Sequence, residues 1–114
     1  MNTLLIQLYA DCATLDAAQA IAQNLLSALQ DYGPQLTAAP SPYWKIPALY
    51  GFELALHPAS EAAFLALVAA PRLGWTHGGD DCDRSSVWNY ADGGAYFLVP
   101  QARWAEVQFS ARDA

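Results

Sequence analysis

Along "TLLIQLYA", residues 3–10, Leu4, Ile6 and Leu8 alternate with Leu5, Gln7 and Tyr9, the two-residue period of a strand with both faces at least partly covered. That marks a candidate central strand. The period then changes, because Ala18, Ile21, Ala22, Leu25, Leu29 and Tyr32 recur at spacings of three and four and so share one face of a helix. Thr14 is placed to cap that helix, Asp16 suits its positive end, and Gly33 followed by Pro34 stops it.

The stretch "PQLTAAPSPYWKIP" holds four Pro in fourteen residues. Each withholds a backbone donor, so the reading is a loop with at most an edge strand near residues 43–46. In "YGFELALH" Phe52, Leu54 and Leu56 point one way and Glu53 and Ala55 the other, the pattern of a second strand. A second helix of about ten residues follows in "HPASEAAFLALVAAP". There Pro58 suits a first turn, Ser60 a cap and Glu61 the positive end, and Pro71 ends the run.

After a Gly- and Asp-rich stretch, "SSVWNY" reads as a strand, "ADGG" as a turn and "AYFLVP" as an extension of that hairpin. In "RWAEVQFS" Ala105, Val107 and Phe109 share one face, and Trp104, Glu106 and Gln108 share the other. The order is β-α-β-α-β-β, which fits a single α+β domain over residues 1–114, with two helices packed on one face of a mainly antiparallel sheet. A ferredoxin-like arrangement is one version of it.

Composition narrows the function classes. Hydrophobic residues make up 54% of the chain and charged residues 14%, which excludes a disordered chain. Five Lys or Arg stand against eleven Asp or Glu, giving a net charge of -6, and Lys45 is the only Lys or Arg before position 72. Nucleic-acid binding needs clustered cations, so it is not expected; a charged partner would be basic. The start "MNTLLIQLYADC" has neither the positive flank of a signal peptide nor an apolar run long enough for a bilayer. A cytoplasmic protein without membrane contact is expected, with Cys12 and Cys82 as free thiols.

Residues 74–94, "GWTHGGDDCDRSSVWNYADGG", gather the chemistry-bearing side chains. Asp80, Asp81 and Asp83 lack the alternating ligands, central Gly and closing Glu of a calcium loop. His77 and Cys82 lack a third residue to orient the base, and Asp11 and Asp16 oppose thiolate formation at Cys12. His57 has no second ligand at a zinc-motif spacing, and no phosphate-loop pattern occurs. No catalytic residue, metal or cofactor is therefore expected. Aromatic residues are more telling, since Trp and Tyr anchor interfaces: Trp44 and Trp75 lie beside Pro- and Gly-rich loops, while Trp88 and Trp104 fit a core.

The acidic "DDCDRSSVWN" followed by "YFLVPQARWAEVQF", with weaker support from "YGFELALHP", resembles a pattern of small immunity proteins of bacterial polymorphic toxins, including those of contact-dependent inhibition systems. The resemblance covers about the C-terminal third of the chain and is not an invariant catalytic signature. It implies a cytosolic antidote that binds one cognate toxin C-terminal domain, a nuclease or another toxic enzyme, and that has no catalytic residues of its own. On this reading Asp80, Asp81, Asp83 and Asp92, with Trp75 and Trp44, form part of the partner-binding surface. Residues 74–84 are then an acidic recognition loop between Gly hinges, and residues 85–90 its frame. The rival readings are a small cytosolic enzyme or ligand-binding domain using the loop Cys, His and Asp residues, and a subunit that self-associates through its aromatic face.

Overall fold

The computed structural model describes residues 2–80 and 82–111. Strand β1 (Asn2–Asp11) is central, with β4 (Leu49–Leu56) on one side and β7 (Ala102–Ala111) on the other; its second face, expected to be at least partly covered, carries the exposed Leu5. Beyond β7 lie β6 (Asp83–Asn89) and β5 (Trp75–Gly79), and beyond β4 lie the short β2 (Pro34–Leu36) and β3 (Ser41–Pro42). Every pairing is antiparallel. The architecture is thus α+β with a mainly antiparallel open sheet. The strand that follows the first helix is β2, and β4 lies between it and β1, antiparallel to both.

Helix α1 (Leu15–Ala28) begins at Thr14, whose Oγ1 accepts the N–H of Ala17 at 3.1 Å. It buries Ala18, Ile21, Ala22 and Leu25 against the sheet face that carries Leu4, Ile6 and Leu8 of β1, Phe52 and Leu54 of β4, and Ala105, Val107 and Phe109 of β7. Gly33 then turns the chain at φ +58°, where an added Cβ would stand 2.0 Å from the His57 carbonyl oxygen. Only glycine fits that approach.

Helix α2 (Glu61–Leu67) is shorter than the sequence suggests, because Pro58 lies outside it and the helix starts after Ser60. The Ser60 Oγ accepts the Ala63 N–H at 3.1 Å. Phe64 of α2 reaches Phe109 of β7 with ring centroids 6.0 Å apart, and Arg84 of β6 bonds Glu61 at 3.0 Å. In so short a helix the cap is a large share of local stability. Ser60→Ala is expected to lower the unfolding free energy by about 1 kcal/mol, read as a lower urea midpoint at unchanged slope.

The C-terminal half departs from expectation at two places. Residues 75–79, read as part of a loop, form the edge strand β5, with Trp75 opposite Trp88 and His77 opposite Ser86. "AYFLVP" is not a strand: the one-turn helix α3 (Tyr90–Gly93) follows β6, and Phe97 and Val99 then drop into the core from a loop in which Leu98 takes φ +66°. The edge strand expected near residues 43–46 is instead Ser41–Pro42. The two sheet edges also differ. Pro34 and Pro42 guard the β2/β3 side, while β5 carries neither Pro nor a charged residue.

Candidate binding face

Both helices cover one face of the sheet, which leaves the other to solvent. Side chains alternate, so Leu5, Gln7 and Tyr9 of β1 point away from the core, as do Glu53 of β4 and Trp104, Glu106 and Gln108 of β7. The register sets them in rows. Tyr9 lies between Gly51 and Trp104, and Gln7 lies between Glu53 and Glu106.

The first row is an aromatic cluster. Tyr9 stacks on Tyr43 with centroids 4.5 Å apart, meets Trp104 at 5.4 Å, and Tyr43 meets Trp44 edge-on at 6.2 Å. Gly51 makes room for it, since a Cβ there would lie 3.1 Å from the Tyr9 ring. Trp44 at the rim is 79% exposed, an unusual placement for a Trp. A bulge opens β7 beside this cluster, between the Tyr9 and Ala10 pairs. The extra residue, Arg103, bonds Asp11 at 2.7 Å and lays its guanidinium over Tyr90 at 4.6 Å.

Burial, the neighbouring Tyr43 and the charge of Glu53 raise the Tyr9 pKa, while a hydrogen bond from Gln7 opposes the rise. The neutral phenol is therefore favoured in the folded state. Its contribution to stability is fully present below the unfolded value near 10 and fades as pH rises through the folded one. The ring-carbon NMR shift of Tyr9 is expected to titrate above an ordinary tyrosine, and Glu53→Gln to move it part of the way back.

Five of the six residues expected to take part in partner binding are described, and the structure places them in separate parts of the fold. Asp80 and Asp83 sit at the exposed β5–β6 turn, where the Asp80 carboxylate accepts the N–H groups of Cys82 at 2.8 Å and Asp83 at 3.0 Å. Those bonds pull the Asp80 pKa below the ordinary carboxylate value, so Asp80 shapes the turn. A depressed pKa gives a contribution present above the unfolded value and lost as pH falls through the folded one; Asp80→Asn is expected to flatten the acid limb of the stability curve. Asp81 lies outside the described residues. Asp92 is exposed on α3.

The two Trp are parted by the sheet. Trp75 points to the helix side and packs edge-on against Phe97 at 5.1 Å, whereas Trp44 belongs to the uncovered side. Trp88 is buried as the core reading expects, but Trp104 stands on the open face, partly exposed. Trp75–Gly79 and Asp83–Asn89 thus pair as a β-hairpin where a loop between hinges was expected, and Gly79, at φ +91°, is what lets it close: a Cβ there would meet the Asp83 carbonyl oxygen at 2.1 Å.

The other chemistry is dispersed. His77 bonds Ser86 through Nδ1 at 2.7 Å, and Ser86 is 1% exposed. Cys12 and Cys82 are free thiols, the first donating to the Thr14 carbonyl at 3.1 Å. Among the described residues no group of three His, Cys, Asp or Glu side chains is placed to hold a metal ion, and no helix is long and apolar enough to cross a membrane.

Fold and face together define an α+β protein with one helix-covered and one bare, aromatic sheet surface. No protein-family model matches the chain, and no curated protein or solved structure matches it. The aromatic cluster was hidden in the sequence because it joins β1, the segment after β3 and β7. The available signal was the strand alternation, which already put Tyr9 with Gln7 and Trp104 with Glu106.

Proposed function

We propose that this chain is an immunity-type inhibitor that acts in the cytoplasm, binds one cognate toxin domain and neutralises it through the uncovered sheet face. The observation that carries the reading is the cluster of Tyr9, Tyr43, Trp44 and Trp104 left without a covering layer. Aromatic side chains bury a large area with few rotamers to freeze, and a contiguous exposed group of them marks a binding surface. A net charge of -6 adds an attractive field for a basic partner such as a nuclease domain. The resemblance of the C-terminal third to immunity proteins points the same way.

The test is co-expression with the C-terminal domain encoded by the reading frame immediately upstream. Restored growth and co-purification of the two chains are expected. A chain that neither protects the cell nor co-purifies overturns the proposal. Alkylating both thiols and adding a chelator should leave the inhibition intact, whereas an enzyme relying on the Cys, His or Asp residues of the hairpin would lose its activity.

A further inference from the structure

Beside the aromatic row, the uncovered face carries a polar one. Glu53, Gln7 and Glu106 lie side by side on β4, β1 and β7. Gln7 Nε2 donates to the Tyr9 hydroxyl at 3.0 Å, tying the two rows together. Glu53 accepts from Thr37 Oγ1 at 3.4 Å and Glu106 accepts from Ser85 Oγ. Each carboxylate keeps further lone pairs, and neither is paired with a cation among the described residues.

The carboxylates line one cavity of about 130 Å³ together with Gln7, Thr37 and Gln108. A second cavity, about 270 Å³, adjoins it and shares Gln7 and Glu53, with Tyr9, Tyr43 and Trp44 along its wall. They form a trough with an anionic end and an aromatic end. Two of the described cations stand beside the aromatic cluster: Lys45 rests on the Trp44 ring with Nζ 5.1 Å from the centroid, and Arg103 is held by Asp11 and Tyr90. Lys45 on Trp44 also shows that this aromatic surface accommodates a cation.

We infer that the trough receives an arginine side chain of the partner protein, its guanidinium between Glu53 and Glu106 and its stem along Tyr9 and Tyr43. The inference rests on the reading of this face as the toxin-binding surface, and it names the chemistry that the face selects. Arginine fits better than lysine. Its planar fork supplies five donors matched to carboxylate oxygens and stacks on rings, whereas an ammonium is a point charge held more tightly by water. The acidic field draws in a basic partner from a distance, and the trough fixes its position at contact.

The test needs no toxin. A Gly-Gly-Arg-Gly-Gly peptide is titrated into the full chain at low salt and followed by amide NMR shifts, with the lysine and citrulline versions of the peptide as comparisons. Shifts centred on Gln7, Tyr9, Glu53 and Glu106 are expected with arginine, weaker binding with lysine and none with citrulline. Glu53→Gln combined with Glu106→Gln should weaken the arginine peptide about tenfold, while Asp16→Asn with Asp31→Asn, which removes the same charge from exposed sites in the first turn of α1 and in the turn that follows the helix, should change it by less than about twofold. A retained, well-dispersed spectrum confirms that each variant is folded. An arginine peptide that shifts nothing on this face, or that binds the Glu53/Glu106 variant as it binds the original, overturns the inference. Because no toxin is present, that failure would leave the inhibitor reading to its own co-expression test.

Discussion

Replacing Trp88 by alanine is expected to cost roughly 3–5 kcal/mol of stability, the range for removing a fully buried large side chain from a packed core. Trp88 is 0% exposed and stands on β6 next to β7, with Phe97 at 5.9 Å and Tyr90 at 6.3 Å. Those two rings belong to the segment linking β6 and β7, so the indole is what holds that link against the sheet. Trp88→Phe should be much milder than its lost volume suggests. The indole Nε1 is buried without a protein acceptor, an arrangement that costs about 1–3 kcal/mol and that Phe removes. Urea unfolding followed by circular dichroism checks both; a Trp88→Phe loss as large as the alanine loss would contradict this account of the indole.

On the proposed function, Trp104→Ala is expected to weaken binding of the cognate domain by at least about 2 kcal/mol, the level of an interface hot spot. Asp83→Asn, at the exposed β5–β6 turn, should cost less than about 1 kcal/mol, as a rim charge screened by water does. Titration calorimetry on both variants decides between the two surfaces. The reverse ranking would return the partner to the acidic hairpin and remove it from the sheet face. Trp104 is only partly buried and lies on the face away from the core, so the variant should remain folded.

Elements with a clean period were legible in the sequence. The alternation in β7 placed Ala105, Val107 and Phe109 in the core and Trp104, Glu106 and Gln108 opposite, and the three-and-four spacing picked out the buried stripe of α1. β5 was not legible, because an edge strand exposed on most of its length needs no apolar alternation, and Gly78 and Gly79 imitate a loop. "AYFLVP" misled in the opposite direction: Phe97 and Val99 are apolar because they plug the core, and the φ of Leu98 rules out a strand. The candidate site was half visible. Strand alternation gives the face of each residue but not which strands are neighbours, and only the β4-β1-β7 order joins Tyr9, Glu53 and Trp104.

That strand order also fixes when this sheet can close during synthesis. A chain grows from its N-terminal side, and β1, made first, pairs along nearly its whole length with β7, made last. Closing so long an intervening stretch costs little free energy, but it delays folding. Before β7 arrives, Leu4, Ile6 and Leu8 have a neighbour on one side only, and β6 lacks its inner partner. The strand that closes the core also delivers Trp104 and Glu106 to the open face. A chain cut short before β7 would therefore lack both its closed core and the Trp104 and Glu106 side of the open face, and on the proposed function it should fail to protect.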